Sequence, residues 1–168
     1  MSKKIYRKKT NSTVTKSSGN LSSASYLIIV ESPSKCAKIE SYLGLNYCCI
    51  ASKGHIRSVN GLRSIDTKGT FEHKYTELTE KKDHIVFMQQ IISKFSKEKI
   101  ILATDDDREG EAIAWHICEQ FGLPVETTPR IIFHEVTKPA LRASIKSPTI
   151  VNLDLVKAQH ARQVLDVI

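Results

Sequence analysis

Two short apolar runs constrain this chain most: Tyr26-Leu27-Ile28-Ile29-Val30 and Ile100-Ile101-Leu102-Ala103. They are short, largely β-branched and free of polar alternation. They read as strands buried on both faces, the pattern of an inner parallel sheet rather than a half-solvated antiparallel one. Segments with helical spacing lie between and after them. Residues 34–43 put Ile39, Tyr42 and Leu43 on one face and stop at Gly44. Residues 83–96 repeat Ile85, Met88, Ile91, Ile92 and Phe95, and residues 109–121 repeat Ile113, Ile117 and Phe121. Thr137 can cap a helix to about Ile145, with Pro139 in its first turn. Residues 154–168 read as a last amphipathic helix, with Leu155, Ala158, Ala161, Val164 or Leu165, and Ile168 on one side. Tyr47–Ala51 and Arg130–Phe133 read as further strands. Residues 52–82 read as a long polar loop with a short strand near Lys74–Glu77, long enough to suspect function. Strands alternating with helices predict an α/β fold around a mainly parallel sheet.

In such sheets ligands bind at the carboxyl ends of the strands. Two parts of this chain put acids there. Glu31 follows the first strand, and Asp105-Asp106-Asp107-Arg108-Glu109-Gly110-Glu111 follows the later one. Crowded carboxylates raise one another's pKa, so the arrangement suits a hard divalent cation that pairs one or two carboxylates with a substrate phosphate. In extended backbone Asp105 and Asp107 share a side, and Glu109 meets the favourable end of the helix dipole. An acid-rich helix start with no ligand has the same composition. Glu31 reads either as a strand-end residue facing water or as a metal ligand or general acid/base. Lys35, one turn on, can offset the acids or touch a phosphate. Ser52-Lys53-Gly54-His55-Ile56-Arg57 sets cations around a glycine that lets backbone approach a phosphate, although a polar turn explains it as well. Trp115 reads as core, and His116 as a surface or internally satisfied histidine.

Charge divides the chain. Six of the 25 Lys and Arg lie in residues 1–25, which hold no acid, leaving 19 bases against 18 acids in the remainder. A basic segment rich in Ser, Thr and Asn is expected to be disordered and to attract a polyanion or serve as a nuclear address; a solvated tail with no specific task fits equally. No apolar run has membrane-spanning length, and no secretory core opens the chain. Cys36, Cys48, Cys49 and Cys118 have neither zinc-site nor disulfide-framework spacing, which suits a reducing intracellular compartment.

Taken together, Val30-Glu31-Ser32-Pro33-Ser34-Lys35, Gly54-His55-Ile56-Arg57, Ala103-Thr104-Asp105 through His116, Arg130 through Lys138 and Val156 through Asp166 occur in an order and rough spacing that resembles type IA DNA topoisomerases, reverse gyrase included. The resemblance covers about residues 26–168. It implies a Toprim domain over 26–150, with a Rossmann-like sheet flanked by helices, and the start of a helical second domain at 151–168. It implies an isomerase that relaxes negatively supercoiled DNA without ATP, with Mg²⁺, by single-strand breakage and rejoining through a 5′-phosphotyrosine. Glu31, Lys35, Asp105, Asp107 and Glu109 would be catalytic, and Glu31, Asp105, Asp107 and Glu109 would hold the metal. His55, Arg57, Arg130, Phe133, His134, Thr137, Arg142 and Arg162 would lie along single-stranded DNA, with strand-end packing the other reading of Phe133. None of Tyr6, Tyr26, Tyr42, Tyr47 and Tyr75 has the family's nucleophile context. The resemblance therefore implies an N-terminal piece, inactive alone in strand cleavage, acting intracellularly at DNA and as a monomer. A stand-alone Toprim nuclease and a noncatalytic nucleic-acid-binding module are the competing expectations.

Overall fold

A computed structural model describes residues 21–59 and 75–167. Three parallel strands form the sheet: β1 (Tyr26–Val30), β2 (Tyr47–Ala51) and β5 (Ile100–Leu102), in the order β2-β1-β5. Ile28 is paired with Cys49 on one side and Ile101 on the other. Strand alternation sorts their side chains into two cores. Leu27, Ile29, Cys48, Ile50, Ile100 and Leu102 enter one, and Ile28, Val30, Cys49, Ala51, Ile101 and Ala103 the other. The first core is closed by Met88 of α2 (Lys82–Ile92), Ile113 and Ile117 of α3 (Arg108–Phe121) and Val156 of α5 (Leu153–Val167). The second is closed by Ile39 of α1 (Cys36–Leu43) and Leu141 of α4 (Lys138–Lys146). With helices on both faces, every strand must be apolar throughout, which is why the β1 and β5 runs do not alternate. The α/β fold with a parallel sheet flanked by helices is as the sequence predicts.

Local chemistry sets the boundaries. Pro33 begins a 3-10 turn, Pro33–Lys35, and α1 starts only at Cys36, two residues after the predicted start. α2 ends at Ile92, short of residue 96, although Phe95 still packs on the core. Thr137 caps α4 by accepting the Ala140 N–H, and Gly122 ends α3 in the left-handed region that a glycine adopts without strain.

Four expectations change. The Arg130–Phe133 strand reduces to bridges at Arg130, which pairs with Leu102 and Thr149 before the chain leaves the sheet. The predicted loop has its expected short strand as β4 (Tyr75–Glu77) and adds β3 (Arg57–Val59), antiparallel to it; the residues between, including Gly61, Gly69 and Lys74, lie outside the described residues. The folded region starts before Tyr26, since Leu21 and Ala24 pack on the first core and the Ser25 N–H donates to Asn46 O. Residues 1–20 and Ile168 lie outside the described residues. Finally, α5 buries Val156, Gln159 and Val164, whereas Ala158, Ala161 and Leu165 are exposed. Its inward stripe includes a glutamine with a polar task, which an apolar count cannot see.

Candidate functional site

The carboxyl ends of β1 and β5 meet. Glu31, directly after β1, accepts the Asp105 N–H on Oε1 at 2.8 Å. Lys35, carried back by the 3-10 turn, places Nζ 3.0 Å from Asp105 Oδ1. Asp107 is the N-cap of α3 and accepts the Gly110 N–H on Oδ1 at 2.6 Å. Partial burial, more than the nearby Asp105 and Asp107 carboxylates, pushes the Glu31 carboxyl above the ordinary glutamate range. The Asp105 N–H and the Lys35 ammonium act against that rise.

Beneath these acids lies a fixed backbone. A Cβ on Gly110 would sit 1.9 Å from the Asp105 carbonyl oxygen, so only glycine lets the first turn of α3 lie against the acidic loop. Thr104 Oγ1 donates to Gly110 O at 2.7 Å. Arg130, expected at the DNA surface, is instead fully buried. Its Nη2 donates to Asp105 O at 2.7 Å and lies 3.4 Å from Glu111 Oε1. Glu111 Oε2 in turn accepts the Asn152 N–H just before α5. Arg130 therefore braces the acidic loop and has no face for a phosphate. Spacing alone could not reveal this, because a surface arginine and a buried one look alike in sequence.

Glu109 has partners on both oxygens. Oε2 lies 2.7 Å from His55 Nε2, and Oε1 accepts from Gln159 Nε2 at 2.5 Å, so both oxygens are engaged. Glu31, Asp105 and Asp107 each spend one oxygen internally, on Asp105 N–H, Lys35 and Gly110 N–H respectively. Among the described residues no three Asp, Glu, His or Cys side chains converge into a closed metal cage. The donor set is all hard oxygen, at an exposed rim. It fits Mg²⁺ bound by one or two carboxylates with a phosphate completing the shell, and Glu31, Asp105 and Asp107 are the acids here with an oxygen not engaged internally.

The expected DNA residues divide by environment. Arg57 is half-buried, its guanidinium 5.6 Å from the Tyr75 ring centroid and 5.4 Å from that of Trp115, and its Nε donates to His116 Nδ1 at 3.1 Å. His116 is fully buried, and Trp115 partly buried against the core. Phe133 is partly buried against the second core, Thr137 is the α4 cap, and His134 is exposed 3.7 Å from Asp106. Arg142 and Arg162 are exposed. Lys53 adopts φ 58°, the left-handed region that costs a non-glycine residue about 1–2 kcal/mol, and the Lys81 ammonium donates to its carbonyl oxygen. Gln159, Asn152 and Lys81 escaped sequence reasoning, as did the buried pairing of Glu111; the one available signal was the buried-side position of Gln159 in a helix otherwise apolar there.

The Toprim domain family model matches residues 26–136. The chain belongs to the Toprim family. It is 44% identical over 145 residues to DNA topoisomerase 1 of Campylobacter jejuni subsp. jejuni, covering 83% of this chain and 20% of that protein. Full-length topoisomerase I of Thermotoga maritima superposes with a TM-score of 0.73 at 34% identity, over 83% of this chain and 24% of that one. The chain thus spans about a fifth to a quarter of the length of these relatives.

Proposed function

We propose that this Toprim chain supplies the acidic, metal-binding half of a type IA topoisomerase site. The supporting observation is the joining of two strand ends by the Glu31–Asp105 N–H hydrogen bond, with Lys35 on the same aspartate. The reading covers ATP-independent relaxation of negatively supercoiled DNA through a 5′-phosphotyrosine, with single-stranded DNA as partner and none of these tyrosines as nucleophile. It also takes residues 151–168 as the start of a second domain.

Asp105 and Asp107 would hold Mg²⁺ with Glu31 beside them, and the ion when bound would neutralise phosphate charge and orient it for in-line transfer. Glu31, whose burial eases proton uptake relative to a free glutamate, would act as the general acid and deliver a proton to the departing 3′-oxygen of the cut strand. On rejoining, the same carboxylate would take the proton back. The Lys35 ammonium would exchange Asp105 for a phosphate oxygen as DNA arrives. Exposed His134, Arg142 and Arg162 would contact the strand.

Calorimetric titration of the chain with MgCl₂ in the presence of a single-stranded oligonucleotide tests the ligand set. The Asp105→Asn/Asp107→Asn pair should weaken Mg²⁺ binding at least tenfold while the far-UV spectrum stays unchanged. Equal affinities would remove these aspartates from the site. Metal-dependent shortening of the oligonucleotide would instead favour a Toprim nuclease.

A further inference from the structure

Glu109 is the second residue of α3, just beyond the Asp107 cap. Helical side chains lean towards the N-terminus of their helix, so this one leans towards the acidic loop. Its carboxylate is more than half exposed, and its long side chain is free to swing. Yet both oxygens are held. His55, in the loop after β2, lies 2.7 Å from Oε2, and Gln159 of α5 donates from Nε2 to Oε1 at 2.5 Å. With Glu109 held so, no three Asp, Glu, His or Cys side chains converge on a cation position among the described residues. Gln159 is buried, between the inward-facing Val156 and Val164 of the same helix. Its amide is the polar exception on that stripe, and Glu109 is its partner. α5 meets the same turn of α3 a second time, where the Asn152 N–H donates to Glu111 Oε2 at 2.9 Å. The helix that carries Gln159 is thus fixed against the turn that carries Glu109.

We propose that Gln159 is a positioning residue, a latch by which α5 holds Glu109 back from the Mg²⁺ position, and that Glu109 is a reserve carboxylate, which joins Asp105 and Asp107 once the latch opens. The latch rests on the metal site proposed above and adds its control. A further carboxylate strengthens the hold on a hard divalent cation, because ligand charge sets much of the affinity of an all-oxygen site. Metal affinity then depends on where α5 stands. Seated on α3, the helix keeps the site at two aspartates. Displaced, it releases Glu109 to the ion. The coupling is reciprocal, so an ion that recruits Glu109 takes away a polar contact of α5 and weakens its seat. Movement of the second domain, which α5 begins on the reading above, would reach the ion by this route without touching either aspartate.

The full chain is titrated calorimetrically with MgCl₂ alone. Gln159→Leu nearly keeps the volume and removes the donor. It should bind Mg²⁺ at least about fivefold more tightly than the parent, the lower end of ordinary coupling between sites. In a Glu109→Gln background the same substitution should leave the affinity where Glu109→Gln alone puts it, since the carboxylate to be released is gone. His55→Leu, at a partly exposed position, opens the other half of the latch and should also tighten binding. It keeps the test readable if the buried Gln159→Leu fails to fold. Gln163→Leu removes the bond from Tyr75 to the same helix and should match the parent. The Asp105→Asn/Asp107→Asn pair separates the two ideas. If that pair binds Mg²⁺ as the parent does, the metal site falls and the latch with it. If the pair loses binding while Gln159→Leu and His55→Leu bind no more tightly than the parent, the latch alone falls. A gain that persists in the Glu109→Gln background, or an equal gain in Gln163→Leu, would mark general loosening of α5 and overturn the proposal.

Discussion

At the scale of single residues, the site rests on groups held in unfavourable states. Partial burial raises the Glu31 carboxyl above its ordinary value, so the folded chain holds that proton more tightly than the unfolded chain. Between the usual glutamate range and the raised value, folding takes up a proton, and stability therefore falls as pH rises through that window. Glu31→Gln keeps an oxygen for the Asp105 N–H and removes the charge. Its Tm should exceed that of the parent at pH 7 without Mg²⁺, and the two should coincide below about pH 4, where the carboxyl is neutral in both states. A lower Tm at pH 7 would show that the carboxylate itself stabilises the fold. His84 runs the other way. Its Nε2 lies 2.6 Å from Ala51 O, and burial depresses its pKa. The unfolded chain then binds more protons just below pH 6.5, so stability should drop as pH falls through that value towards the depressed one. His84→Gln should flatten this part of a Tm-versus-pH curve.

At the scale of elements, the buried Arg130–Glu111 pair joins the loop after β5, the first turn of α3 and the residue preceding α5. Removing one member leaves a buried charge without its partner, which costs about 3–5 kcal/mol. Arg130→Ala should lose that much in urea unfolding, and Arg130→Met/Glu111→Gln should lose clearly less. The elements themselves were legible because hydrophobic periodicity reports burial: β1, β5, α2 and α3 follow from Leu27–Val30, Ile100–Leu102, Ile85–Ile92 and Ile113–Phe121. The acids were legible at the rim because a parallel sheet places its strand ends together. Arg130, Glu109 and Gln159 were not, because their partners lie 25, 54 and 50 residues away in the chain. Polar pairing over such separations leaves no period in a sequence. The hairpin was half-legible for the same reason, since β3 is held by β4 and by Arg57 against Tyr75 rather than by an apolar stripe.

At the scale of the whole molecule, charge is segregated. All six cations of the N-terminal segment lie within residues 1–20, while the remainder is nearly neutral. The proposed association with single-stranded DNA should therefore draw much of its salt dependence from that segment. Deleting residues 1–20 should make the slope of log affinity against log salt shallower, by about 0.7 for every phosphate that the segment neutralises. An unchanged slope would assign the electrostatics to the folded rim. The sheet has a different problem to solve, because β2 is an edge strand. The Ser52 N–H bonds to Val30 O, so the intervening residues Cys49 and Ala51 turn their backbone groups away from β1. Glu40 occupies the Cys49 N–H and His84 the Ala51 carbonyl oxygen. With one outward donor and one outward acceptor already taken, this edge is blunted as a template for another strand. The two side chains thus hinder the three-stranded sheet of the described residues from extending at β2 by self-association.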